Sequence, residues 1–136
     1  MLILNPERVE LGTAVLDRVT SVTIDRQTVS PVEQWGGTGP WCRLVDSTKR
    51  RVTVTVKQEP GPALDAGPAL GSQAELRAIV APTRSDKGRR RVRCLCVVIS
   101  VEHALPTGKP PVRTVTLLAV STAGATDPVA IEEVTP

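Results

Sequence analysis

The residues that could do chemistry in this chain are few. There is one histidine, His103, beside Glu102, and there are three cysteines, Cys42, Cys94 and Cys96. A general base must reach the proton it takes and must have a nucleophile or substrate to act for. The stretch around His103 (ISVEHALPTG) supplies no such partner, so a structural or surface histidine is expected. The chain lacks HExxH and GxSxG. Gly108-Lys109 is followed by Pro110 rather than Ser or Thr, with no Gly five positions before Gly108, so there is no phosphate-cradling P-loop. Cys94 and Cys96 fall two apart in an alternating stretch, which places them on one face with parallel Cβ vectors. A disulfide there would need distorted geometry. Without a CxxC, and with a single histidine, the ligand spacing of a zinc site is missing. The expectation is no enzyme, no cofactor and no metal, with reduced thiols packed as small apolar groups.

The other chemically suggestive feature is charge. The balance is 17 basic against 14 acidic residues. Much of the excess lies in one run that holds Lys87, Arg89, Arg90, Arg91 and Arg93, with Arg84 just before it. Such a run can neutralise phosphates without reading bases. Equally it can be a solvated tip or a subunit contact answered by acids such as Glu59, Asp65, Glu132 and Glu133. A stacking platform for single-stranded nucleic acid is not expected, because there is no Phe or Tyr and there are only two Trp. Gly36-Gly37-Thr38-Gly39 reads as a flexible turn, and Glu132-Glu133 as a solvated end.

The elements that must position these residues are announced by a two-residue period. RRVTVTVKQ at 50–58 sets Val52, Val54 and Val56 on one face, with Arg51, Thr53, Thr55 and Lys57 on the other. The same period runs through 14–25, 89–102 and 112–122, where Thr114 and Thr116 alternate with Val115 and Leu117. Period two marks strands with one buried face. The 20 Val and 15 Thr favour pleated surfaces. A shorter strand at 7–11 is expected before Gly12. A hairpin is expected from 41–46 through Ser47-Thr48-Lys49 into 50–58, and 26–40 and 59–71 read as loops. Residues 73–80 suit a strand or a short helix, the strand being favoured. The fold class is therefore all-β: an antiparallel sandwich or barrel with at most one short helix. One domain, 1–136, is expected to carry an extended lead at 1–6 and an arm or edge strand at 123–136. The opening residues are too few for a signal sequence, and no run approaches the ~20 apolar residues of a membrane helix, so a chain made in the cytoplasm with no membrane contact is expected.

Several phrases in fixed order carry a resemblance. They are VTSVTIDR at 19–26, RRVTVTVKQE at 50–59, CVVISVEHALPTG at 96–108 and RTVTLLAVSTAGATDPV at 113–129. The last is the most specific, a strand running into Ala-x-Ser, then a Gly and Asp-Pro-Val. From about residue 14 to 130 the chain resembles the tail tube proteins of tailed bacteriophages. The resemblance implies a fold of the tail-tube type, in which hexameric rings stack into a tube that conducts DNA during ejection. It implies that four long strands per subunit build an inner barrel, with Arg51, Thr53, Thr55, Lys57, Thr114 and Thr116 lining the lumen. The partners implied are further copies, a tape measure, baseplate and terminator proteins, and DNA in transit, within a virion tail. Another tail component of the same fold is the neighbouring reading, either a distal-tail or baseplate ring or an injection-machine tube. A monomeric β-barrel that binds nucleic acid through Lys87 to Arg93 is the reading from another class.

Overall fold

A computed structural model describes residues 2–4, 6–16, 18–29, 32–35, 39–40, 42–46, 49–60, 68–80, 89–122, 124 and 127–134. These form eleven strands and, among the described residues, no helix. In chain order they are β1 (Leu2–Leu4), β2 (Pro6–Leu11), β3 (Ala14–Leu16), β4 (Val19–Val29), β5 (Val32–Trp35) and β6 (Cys42–Asp46). Then come β7 (Lys49–Gln58), β8 (Gln73–Val80), β9 (Arg89–Ala104), β10 (Val112–Ala119) and β11 (Val129–Val134). All pairings are antiparallel. One sheet runs β1-β4-β7-β10-β9-β8-β2-β3, with β11 also on β9, and β5 pairs β6 separately.

The sheet rolls because one face of every long strand is aliphatic. Val22 and Ile24 of β4, Val52, Val54 and Val56 of β7, and Val115 and Leu117 of β10 are buried in one cluster. So are Val92, Cys94, Cys96 and Val98 of β9, Leu76 and Ala78 of β8, Val9 and Leu11 of β2, and Val129 of β11. A single sheet can bury a continuous apolar face only by curling over it. Accordingly β2 returns to lie close to β4, which brings the two ends of the sheet together.

The longest strand, β9, organises the rest. On one edge β10 pairs with Cys96–Ala104 and β11 with Arg89–Cys94, end to end. On the other edge β8 covers Arg90–Val97, and Val98 exchanges backbone hydrogen bonds with Gly71 and Ser72 just before it, at 2.8 and 3.0 Å; beyond Val98 this edge is unpaired among the described residues. Between β10 and β11 the chain is tied down where Val120 N donates to Leu95 O at 2.8 Å.

The strand reading of 73–80 holds as β8, with Leu76 and Ala78 inward. Three expectations are corrected. The alternation at 14–25 is broken at Arg18, with φ of 55°, so that Ala14–Leu16 is a separate strand, paired with β2. The turn between β2 and β3 needs Gly12, at φ 63°, where a Cβ would also stand 3.4 Å from that of Ala74. Residues 26–40 are not all loop: β4 continues to Val29 opposite Lys49, and β5 follows. The segment 42–46 pairs with β5 rather than forming a hairpin with β7, which lies instead between β4 and β10. Alternation reveals a face; it does not reveal which neighbour completes the hydrogen bonds.

The terminal segments are strands as well. Leu2–Leu4 pairs with Val22–Ile24 of β4, and Val129 near the start of β11 is buried at 7% exposure.

Two outcomes follow from this packing. Leu117→Ala, at a fully buried site, should cost about 2–5 kcal/mol in urea unfolding, whereas its outward neighbour Thr116→Ala should stay within about 0.5 kcal/mol. Removing residues 123–136 should lower the urea midpoint, since it uncovers the Arg89–Cys94 edge and removes Val129 from the core. An unchanged midpoint would show that β11 contributes nothing to stability.

Candidate functional site

The residues singled out on β7 and β10 share the outer face of the roll. Register places Thr116 opposite Thr55, Thr114 opposite Lys57 and Leu118 opposite Thr53. The face extends further than the sequence indicated. Thr23 of β4 lies opposite Thr55, Ser21 opposite Lys57 and Gln27 opposite Arg51. On the far side Ser100 of β9 stands opposite Thr116, and Glu102 opposite Thr114.

The result is a hydroxyl row across four strands, Thr23–Thr55–Thr116–Ser100, with a mixed row Ser21–Lys57–Thr114–Glu102 beside it. Ser21 and Thr23 could have been found from their alternation with Val22 and Ile24. Ser100 and Glu102 could not. A bulge at Ile99 leaves Ser100 opposite Thr116 and Val98 opposite Leu117, so the face parity of β9 flips. Strict alternation from Val92 would have turned Ser100 inward; instead Val101 packs against the core.

Arg51 and Lys57 are exposed near the two ends of β7, flanking the hydroxyl stripe. Thr20 donates its hydroxyl to Lys57 O at 3.1 Å, so the Lys57 backbone is anchored while its ammonium stays in water.

The other half of the roll has an outer face of different character. Here β2, β8, β9 and β11 carry alternating charges that answer one another. Arg8 meets Glu10 at 2.8 Å, Arg77 meets Glu10 at 3.5 Å, and Arg93 meets Glu75 at 3.5 Å and Glu132 at 3.0 Å. Each pair is exposed enough that it contributes at most about 1 kcal/mol. Their collective effect is neutralisation. Of the basic run, Lys87 lies outside the described residues. Arg89 starts β9, Arg90 and Arg91 are half-buried, and Arg93 is held between two carboxylates. The run is therefore not a uniform patch of bare cations.

The remaining candidates are structural. Cys94 and Cys96 are free and buried. Cys96 donates to Ala74 O at 3.4 Å. The hydrogen bond between the two thiols, followed by burial, pushes Cys94 well above the ordinary thiol range, which leaves it inert as a nucleophile. His103 accepts through Nε2 from Arg113 Nε at 3.2 Å. Arg113 is only 5% exposed, and nothing in its sequence neighbourhood announces a buried guanidinium. Its partner is the neighbouring imidazole because β10 and β9 set the two residues opposite each other. Among the described residues no group of three or more His, Cys, Asp or Glu could hold a metal ion.

No protein-family model matches the chain, and no curated protein matches it. Among solved structures, a chain from the tail of an empty GTA particle, computed with helical refinement and C6 symmetry, is similar to this one. The likeness has a TM-score of 0.48 at 12% sequence identity, and covers 90% of this chain and 86% of that chain.

Proposed function

We propose that this protein is a structural subunit of a phage tail tube, in which copies join side by side into hexameric rings and the rings stack. The observation that carries this reading is the adjacency of the four long strands. β4, β7, β10 and β9 are neighbours in one sheet, aliphatic on the inward face and rich in hydroxyls on the outward one. The resemblance of the sequence to tail tube proteins asks for four such strands per subunit.

The edges support association. Residues 99–104 of β9 are paired on the β10 side only among the described residues, and Ile99 there is 49% exposed. An open edge of this length is a template for a strand from another copy, and closing a ring removes it. Six copies contributing four strands each, spaced ~4.8 Å apart and tilted ~45°, would make a barrel roughly 50 Å across the backbone. That bore admits duplex DNA once side chains are added.

The hydroxyl rows suit a surface over which DNA slides. Each phosphate neutralised by a fixed cation adds salt-dependent affinity and so resists movement. Thr23, Thr53, Thr55, Thr114, Thr116 and Ser100 offer hydrogen bonds of modest net strength that water can replace. Arg51 and Lys57 then belong at the rims of the stripe, where intersubunit acids can neutralise them. Tape-measure, baseplate and terminator proteins are the further partners of such a tube, and a virion tail is its place.

Negative-stain microscopy and light scattering across concentration test the assembly, with rings or hollow tubes expected. Ile99→Lys should leave the urea midpoint of the subunit unchanged and abolish rings, since a lysine on an open strand edge blocks pairing. A wild-type protein that stays monomeric at high concentration and binds duplex DNA with strong salt dependence would overturn the tube in favour of a nucleic-acid module. A second outcome concerns sliding. Thr55→Lys with Thr116→Lys should raise the duplex DNA retained by the assembled protein several-fold over wild type, with a steeper salt slope. Equal retention by both would remove the role given to the hydroxyl face.

A further inference from the structure

Where the paired arginines of the outer face each meet a carboxylate, one end of the roll keeps an excess of cations. The inward stripe of β4 runs Val22, Ile24 and then Arg26 and Thr28. That of β7, read back along the strand, runs Val56, Val54, Val52 and then Arg50. Register sets Arg26 opposite Val52 and Thr28 opposite Arg50, so the change from aliphatic to cationic happens on the two strands within one inward pair of each other. Arginines there do not extend the core. They open it at the end of the sheet into a groove of about 550 Å³, lined by Arg26, Thr28 and Arg50 of the inward stripes, by Gln27 and Arg51 of the outward ones, and by Ser121 and Asp127 from the link between β10 and β11.

The groove is built rather than loose. Arg26 Nε donates to Asp127 Oδ2 at 3.0 Å, and Val129 N donates to Asp127 Oδ1 at 3.0 Å. Gly124 N donates to Ser121 Oγ at 3.1 Å, which leaves that hydroxyl's proton available. Asp25, the nearby acid of β4, is on the outer face and accepts from Gln27 Nε2 at 2.6 Å. Among the described residues, one carboxylate, paired with Arg26, thus lines a groove that three arginines share. Arg50 and Arg51 have no acidic partner among the described residues.

We propose that this groove binds a phosphate group, held by the guanidiniums of Arg50 and Arg51, with the hydroxyls of Thr28 and Ser121 as further donors. The planar fork of arginine matches phosphate oxygens bidentately. Asp127 already shows that a carboxylate engages a single guanidinium of the set; a phosphate offers the additional acceptors and charge that the two remaining arginines and two hydroxyls call for. The phosphate can come from a nucleic-acid backbone or from a small free phosphate. The residues named all belong to one chain, so binding there does not require ring assembly.

Calorimetry with pyrophosphate, together with anisotropy of a short fluorescent DNA duplex, both at low salt, tests for this site. Pyrophosphate should bind the wild-type protein and Lys109→Gln alike, Lys109 being an exposed cation remote from the groove. Arg50→Gln combined with Arg51→Gln should weaken binding about tenfold or more, with the urea midpoint showing that the fold persists. Arg51→Gln alone, at an exposed position, should weaken it in the same direction if the double variant is unstable. DNA binding that pyrophosphate displaces identifies the backbone phosphodiester as the source; pyrophosphate binding without DNA binding identifies a small phosphate. No binding of either probe, or equal binding by wild-type and arginine variants, overturns the site. Sedimentation of the same samples reads assembly separately, so failure of the groove and failure of the tube are distinguishable.

Discussion

The structure depends on the hydrogen-bonding demand of one strand. β9 is 16 residues long, and each of its backbone groups must find a partner or water. No single neighbour in the chain is long enough to satisfy an edge of it. Two strands, β10 and β11, therefore divide one edge, with the Val120–Leu95 hydrogen bond near the joint. β8 takes part of the other. The aliphatic stripe common to these neighbours then forces the sheet to curl, and the curl brings β2 against β4. The positions of β8, β10, β11 and β2 follow from how β9 is covered.

The same division separates two outer surfaces with different physics. Around the first half of β9, side chains of opposite charge sit across strands and answer one another, as Arg93 does with Glu75 and Glu132. Around the second half, beyond the bulge at Ile99, the facing residues are hydroxyls and charges become sparse. One bulge controls this change of character, because it decides which side chains of β9 point outward. Without it Ser100 and Glu102 would be directed at the core, where an unpaired carboxylate costs several kcal/mol.

Much of this was legible in the sequence, for a specific reason. Val52, Val54 and Val56 alternate with Arg51, Thr53, Thr55 and Lys57 without interruption, so the alternation by itself assigns their faces. The pairing partners are not assigned that way. The 42–46 stretch has the pattern of the first arm of a hairpin with β7, yet its pairing is with β5, since β7 is already satisfied on both edges by β4 and β10. Arg18 hides a break between two strands, at a positive φ that is uncommon outside glycine. The groove at Arg26 and Arg50 is likewise invisible to local pattern, because it depends on residues more than a hundred positions apart meeting at Arg26 and Asp127. Local patterns encode which face is buried; long-range meetings are encoded only in the closed fold.

The placement of β11 also bears on how the protein reaches its folded state. The edge that β11 covers belongs to a strand made about forty residues earlier, and β2 must wait for β8. Few contacts can form between residues near in sequence, a topology associated with folding over milliseconds to seconds rather than microseconds. Until β11 leaves the ribosome, the nascent chain carries a long valine-rich strand whose Arg89–Cys94 edge is uncovered. Such an intermediate is prone to pair with other unfinished chains, so β11 guards against aggregation during synthesis as well as covering that edge of β9.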